Sequence, residues 1–184
     1  MTEMGSEPAR RALQRAVQTG VLDAQLGGLL LVLGEHGVPL VVASRDLTVA
    51  TLLGQALVGL TGTLSADSFE EVVRLAGGSA ETGVPDELRD MGIVVVTRAL
   101  EDRPRVVAAH YVRPLERDAG GHVQRRGPAV LATWDAERAE WEHFAWGVAA
   151  ELAERAGLPL AEFEAERERR VASLAAAMAP ENGG

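Results

Sequence analysis

The chain has 184 residues, a length typical of one globular domain, and its 47% hydrophobic and 24% charged residues exclude a wholly disordered protein. It contains no cysteine and no lysine, which excludes disulfide bonds, thiolate chemistry and lysine Schiff bases. Its net charge of −9, with arginines scattered or interleaved with glutamates, argues against nucleic acid as a partner.

The amino-terminal part of the sequence predicts two helices and a buried strand. The first helix covers Pro8–Thr19, with Ser6 as its expected cap. The second covers Asp23–Glu35, where leucines recur at helical spacing. Val38–Ala43 is apolar without alternation, which predicts a strand that is covered on both faces.

The next segment predicts a strand between two helices. A helix begins near Asp46 or Thr48. Its apolar stripe comprises Leu53, Leu57 and Leu60. A short strand follows at Gly62–Leu64. Ser68 with Glu71 three residues later then forms a capping-box pattern, which predicts the start of another helix.

The carboxyl-terminal half predicts antiparallel strands followed by helices. Ile93–Leu100 and Arg105–Leu115, joined by a short turn, predict a hairpin. Two further strands are expected at Ala129–Trp134 and Trp141–Phe144. Two helices close the chain, at Gly147–Ala156 and Leu160–Met178. This order predicts an α/β fold, with α+β as the alternative, in which helices cover a mixed β-sheet.

We expect one domain over residues 1–184, with flexible ends at 1–6 and 179–184. The longest apolar run, Leu29–Leu33, is far too short to cross a bilayer, so no membrane insertion is expected. No basic segment precedes an apolar one at the start, so no secretory signal is expected either. We therefore expect a cytoplasmic protein.

The stretch "VVASRDLTVATLLGQAL" has the outline of a phosphate-binding loop, in which a strand enters a polar turn and a helix leaves it. Against the pattern G-x-x-x-x-G-K-[ST], Ser44 takes the first glycine position, Val49 the second and Ala50 the lysine. Thr51 alone fits. We expect the carboxylate of Asp46 to occupy the free N–H groups of the helix and to repel a phosphate.

Three segments together resemble the type II and type IV secretion and pilus motor ATPases. "GVPLVVASRDLTVATLLGQAL" resembles the nucleotide-binding core of that family, and "GTLSADSFEEVVRL" resembles its histidine box, with Ser65 in place of the histidine. "MGIVVVTRALEDRPRVVAAHYVRP" resembles the hairpin that follows the box. The family's middle section, with its acidic Walker B strand, has no room in this chain.

The resemblance implies an ancestor that hydrolysed ATP and a P-loop-ATPase-like remnant core whose nucleotide site has been lost. We therefore expect no catalytic residue and no cofactor. The function that it implies is that of a non-catalytic interaction or assembly module. Its expected partners are a second copy of the chain or a genuine secretion or pilus motor ATPase.

Two other functions stay open from the sequence. One is an ATPase of the same class that binds nucleotide through an unorthodox loop. The other is a small-anion-binding protein that uses Arg105 and Arg113, which lie on one predicted strand. The competing interpretation of these arginines is that they face solvent and pair with nearby acids. No metal site is expected, because the four histidines lack metal-binding spacing: His36, His110, His122 and His143.

Two features bear on association. The aromatic residues are concentrated in one segment: Trp134, Trp141, Phe144 and Trp146. Such a group packs a core or anchors an interface. The alanine-rich final helix places Phe163, Val171, Leu174 and Met178 on one face, with Glu166 and Arg170 spaced to pair on the other. We expect a homo-oligomer, most simply a dimer.

Overall fold

The computed structural model describes residues 6–79, 84–101, 103–117, 119–124 and 126–178. In chain order the helices are α1 (Ser6–Gln18), α2 (Ala24–Glu35), α3 (Leu47–Ala56), α4 (Phe69–Leu75), α5 (Asp86–Arg89), α6 (Ala149–Arg155) and α7 (Leu160–Ala176). A short 3-10 helix, Ala145–Val148, precedes α6. The strands are β1 (Leu40–Ala43), β2 (Leu60–Leu64), β3 (Ile93–Leu100), β4 (Arg103–Tyr111), β5 (Glu116–Arg117), β6 (Val123–Gln124), β7 (Ala129–Asp135) and β8 (Glu140–His143).

Six strands form one mixed sheet in the order β2-β1-β3-β4-β7-β8, and β5 and β6 form a separate two-stranded ribbon. β1 pairs parallel with both β2 and β3, whereas β3, β4, β7 and β8 pair antiparallel in succession. The predicted α/β class is confirmed. So are the interior position of the first strand and the hairpin made by the strands that begin at Ile93 and Arg103.

The larger hydrophobic core lies between the sheet and a layer that contains α1, α2, α3, α6 and α7. Within it α2 is buried from Leu26 to Gly34 without interruption, as expected of a helix that is apolar on all sides. The final helix packs directly on α2: a β-carbon at Gly28 would lie 2.6 Å from Cγ2 of Val171. A smaller core on the opposite face packs residues of α4 and α5 against β1, β3 and β4.

Side-chain caps fix where several helices begin. Asp23 precedes α2 and accepts a hydrogen bond from the N–H of Leu26 at 2.8 Å. Ser68 precedes α4 and accepts from the N–H of Glu71 at 3.2 Å, which confirms the predicted cap. Ser6, predicted as the cap of the first helix, is instead its first residue. The remaining residues of the expected flexible ends, 1–5 and 179–184, lie outside the described residues.

Several predicted boundaries were wrong. α3 ends at Ala56, and Leu60 begins β2 rather than extending the helical stripe. The second strand of the hairpin ends at Tyr111, not Leu115. Met178 lies beyond the end of α7 and is half exposed instead of packed. The ribbon β5–β6 was not predicted, because strands of two residues carry no periodic signal.

Candidate functional site

The β1–α3 turn lies where open α/β sheets usually bind ligands. From β1 the chain passes through α3 to β2 on one side, and β3 lies on the other side of β1. The carboxyl ends of these parallel strands therefore meet at a topological switch point, the general location of ligand sites in such sheets. This is also the place that the sequence pattern of the phosphate-binding loop indicated.

In this turn a carboxylate occupies the donors that a phosphate would need. Only three residues, 44–46, separate β1 from α3. Oδ1 of Asp46 accepts hydrogen bonds from the N–H groups of Thr48 at 2.8 Å and Val49 at 3.3 Å. The hydroxyl of Ser44 donates to the carbonyl oxygen of Asp46 at 3.0 Å, which tightens the turn further. The side chains of Ser44 and Asp46 thus satisfy hydrogen-bonding groups of the turn that a phosphate would otherwise contact.

The positions aligned with the second glycine and the lysine of a phosphate loop belong to the helix. Val49 and Ala50 lie in the first turn of α3 and are buried, Ala50 being only 7% exposed. Thr51 is exposed on the outer side. A phosphate loop needs this segment to curl around the anion. Here it is regular helix that packs on the core.

A cleft of about 350 Å³ adjoins the turn, and its two arginines are already engaged by the protein. Arg45 contacts Asp67 at 3.2 Å and Glu71 at 2.8 Å. The hydrogen bond from Arg45 is the main cause that lowers the pKa of the Glu71 carboxyl. Arg98 donates from Nε to the carbonyl oxygen of Asp67 at 2.6 Å. The cleft therefore offers an incoming anion no guanidinium free of other contacts.

Ser65, which takes the position of the histidine in the histidine box, lies in the link between β2 and α4. It is exposed, and it is not among the residues that line this cleft. The chain folds back next to it, where the N–H of Ala66 donates to the carbonyl oxygen of Leu64 at 3.1 Å. A serine here has no titratable group, so it cannot take over proton transfer from a histidine near neutral pH.

The structure does not bring Arg105 and Arg113 together. One lies near the start of β4 and the other two residues beyond its end, roughly 25 Å apart along extended chain. The guanidinium carbon of Arg105 lies 3.7 Å from the ring centroid of Trp134 and 5.3 Å from that of Trp141. Its Nε is buried without a hydrogen-bond partner. This arginine stacks on the paired tryptophans, a cation–π contact that packs the sheet.

Arg113 is held by a carboxylate instead. Its Nε and Nη2 donate to the two carboxylate oxygens of Glu151 at 2.6 and 3.0 Å, and its Nη1 donates to the carbonyl oxygen of Gly127 at 2.8 Å. The hydrogen bond from Arg113 is the first cause that lowers the pKa of Glu151. The pair ties the end of the hairpin to α6.

The contacts of His36, His110 and His143 are structural. Nε2 of His36 lies 3.1 Å from Oε2 of Glu166, and Nε2 of His143 lies 2.7 Å from Oδ2 of Asp23. The ring of His110 stacks on Phe69 with centroids 4.2 Å apart, and burial lowers the pKa of this imidazole. Within the described ranges, no group of three or more histidine, aspartate or glutamate side chains is placed to hold a metal ion.

A larger cleft, of about 610 Å³, was not predicted from the sequence. It lies beside the end of β4, α6 and the β5–β6 ribbon. Its wall includes Tyr111, Glu116, Arg126, Glu151, Glu154 and Arg155. Of the residues proposed from the sequence as anion contacts, Arg113 adjoins the cleft through its pair with Glu151. The side chains that α6 contributes to the wall come from a segment far along the chain.

A buried arginine fixes the wall of this larger cleft. Arg89 is 4% exposed, and its Nη1 donates to the carbonyl oxygens of Arg113 and Arg126, both at 3.0 Å. One guanidinium thus joins the two chain segments that flank the ribbon.

No protein-family model matches this chain, and no curated protein matches it. The resemblance to secretion motor ATPases therefore rests on the residues quoted for it. Across the described residues, no helix is both long enough and apolar enough to cross a membrane.

Proposed function

We propose that this chain is a non-catalytic relative of the secretion and pilus motor ATPases, acting as a protein–protein interaction or assembly module. The observation that carries the proposal is the carboxylate of Asp46, which takes the N–H donors of Thr48 and Val49. Those donors would otherwise bind the phosphates of a nucleotide. A nucleotide would have to displace the Asp46 carboxylate, which belongs to the chain and already accepts these hydrogen bonds.

The electrostatics of the site support the same proposal. Phosphoryl transfer depends on cations that stabilise charge in the transition state. The chain has no lysine, and Arg45 is paired with two carboxylates. Thr51 could give a magnesium ion only a hydroxyl ligand, without the acidic partner that Mg²⁺ sites use. Binding and hydrolysis of ATP are both disfavoured by these side chains.

Exposed aromatic surface supports the interaction role. Trp146 is 77% exposed and Phe144 is 40% exposed, and both lie just beyond the edge strand β8. Large exposed aromatic side chains are typical anchors of protein interfaces. We propose that a second copy of the chain, or a cytoplasmic secretion or pilus motor ATPase, covers this surface.

Three measurements test the proposal. Calorimetry of the wild-type protein with ATP–Mg at millimolar concentration should give no heat of binding, and phosphate release should not exceed the blank. Co-elution with a purified secretion motor ATPase should be lost on Trp146→Ser and kept in Leu47→Ser, which alters another exposed apolar residue. ATPase activity in clean wild-type protein would favour the rival function, an ATPase with an unorthodox loop.

A further inference from the structure

The larger cleft holds a buried phenol without a partner. Tyr111, the last residue of β4, is 2% exposed and lines the cleft. Its hydroxyl makes no hydrogen bond to any part of the chain that the structure describes. The ring is buried, but the hydroxyl oxygen is not among the buried polar atoms that lack a partner, so it keeps contact with solvent. A ligand in the cleft would therefore meet a hydroxyl donor that is not engaged by the described chain.

One arginine in the wall of the cleft has no ion-pair partner among the described residues. Arg113 is paired with Glu151, and Arg126 contacts Glu116 at 3.1 Å. Arg155, the last residue of α6, is partly buried in the wall and forms no ion pair with a described residue. Glu154 beside it is exposed to solvent.

We propose that this cleft binds the oxyanion group of a small ligand, a carboxylate or a phosphate, between the guanidinium of Arg155 and the hydroxyl of Tyr111. A guanidinium presents a planar fork of donors that matches two oxygens of such a group. The phenol adds a neutral donor from the buried side. This site is separate from the β1–α3 turn and does not depend on the proposed interaction role.

The protonation state of Tyr111 suits a donor. Burial raises the pKa of the phenol above its ordinary value, and the nearby charge of Arg155 opposes the rise without cancelling it. The hydroxyl therefore keeps its proton at neutral pH and can donate to an oxyanion. Arg89 holds the flanking backbone in place, so the cleft wall is formed before a ligand arrives.

The chain's single tyrosine gives a direct test. Protein labelled with ¹³C at the ζ carbon of tyrosine gives one signal, which belongs to Tyr111. Titration with inorganic phosphate and, separately, with succinate at constant ionic strength should move this signal and reach saturation in the millimolar range or below. A response to phosphate alone or to succinate alone identifies which oxyanion the cleft prefers. An unmoved signal with both would overturn the proposal.

Variants locate the effect. Arg155→Gln should weaken binding about tenfold or more, because it removes the guanidinium that is not engaged in an ion pair. Arg15→Gln, which changes an exposed arginine outside the cleft, should bind as the wild type does. Glu154→Gln should tighten binding, since it removes a negative charge beside Arg155. If Arg155→Gln binds as tightly as wild type, or if Glu154→Gln binds more weakly, the cleft does not select an oxyanion.

A second measurement guards against loss of folding. Tyr111→Phe should bind phosphate or succinate several-fold more weakly by calorimetry, with an unchanged thermal midpoint, because only the donor is removed. Unchanged affinity in a folded Tyr111→Phe protein would contradict the role given to the hydroxyl.

Discussion

Gly34 of α2 lies against the backbone carbonyl of Val58, so close that a β-carbon at position 34 would overlap the carbonyl oxygen. Gly59 faces it from the other side, where a β-carbon would lie 3.0 Å from the Cα of Gly34. Gly59 also has φ = +81°, a conformation that other residues rarely adopt. The backbone of α2 at Gly34 and the backbone of the turn before β2 are therefore in direct contact.

Gly34→Ala should destabilise the protein by about 3 kcal/mol or more, because the backbone carbonyl of Val58 cannot move aside as a side chain could. Urea unfolding followed by tryptophan fluorescence measures the change. Gly54→Ala in α3 is the control: its β-carbon would meet only the side chain of Leu60, at 3.4 Å. Since alanine is a better helix former than glycine, this variant should lose no stability. Equal stability of Gly34→Ala and wild type would refute the close crossing.

Asp46→Ala should lower the free energy of unfolding by about 1 kcal/mol, the usual cost of losing a helix N-cap. Asp46→Asn should be nearly neutral, because the asparagine oxygen can still accept from the N–H groups of Thr48 and Val49. Thermal unfolding of both variants beside the wild type separates the two effects. An Asp46→Ala protein as stable as wild type would mean that this carboxylate does not cap α3.

Glu151→Gln should make stability less dependent on pH. Arg113 lowers the pKa of Glu151 in the folded protein, so their pairing stabilises the fold above the ordinary carboxyl pKa of the unfolded chain. That contribution is lost as the pH falls through the lower pKa of the folded state. We expect a loss of about 1 kcal/mol in the variant at neutral pH and none in strong acid.

Chemical unfolding at several pH values measures the effect of Glu151→Gln. Glu164→Gln is the matched control, because Glu164 is exposed and has no ion pair with a described residue. It should follow the wild type at every pH. A pH-independent loss in Glu151→Gln would show that the residue acts through packing alone.

Local signals were enough to predict much of the fold. The interior position of β1 followed from its continuous apolar residues, and the cap at Ser68 followed from the spacing of Ser68 and Glu71. The hairpin of β3 and β4 followed from β-branched residues around a short turn. Each of these features depends on residues close together in the sequence, where periodicity and turn chemistry act.

Interactions between distant segments could not be predicted. Glu166 and Arg170 were expected to pair within α7, but Arg170 contacts Glu35 at 2.6 Å and Glu166 contacts His36 at 3.1 Å. Both partners lie at the end of α2, whose close packing on α7 offers contacts that the helical spacing alone does not reveal. The Tyr111 cleft was missed for the same reason, since Arg155 reaches it only after the chain has folded.

We expect the protein to be a dimer, and Trp146 to be one of the residues that hold it together. Light scattering at tens of micromolar should give twice the mass of the chain. Trp146→Ser should shift the protein toward monomer, since removing a large apolar side chain from an interface centre commonly costs 2 kcal/mol or more. Leu47→Ser should leave the mass unchanged, although Leu47 is 84% exposed. A monomer in the wild type would contradict the expectation.

The double variant Val49→Gly with Ala50→Lys should not restore nucleotide binding. Both positions lie inside the first turn of α3, so a lysine at position 50 starts from a buried β-carbon and not from a loop around a phosphate. Asp46 would still hold the N–H of Thr48. Burying lysine and adding glycine to the helix should also lower the free energy of unfolding, by about 1 kcal/mol or more.

Calorimetry with ATP–Mg on the folded double variant measures whether nucleotide binding has returned. Thr51→Lys is the control, because it places the same charge at an exposed position. If the double variant alone binds ATP, the turn is a phosphate loop that lost only its two key residues, and the lost-site interpretation is wrong.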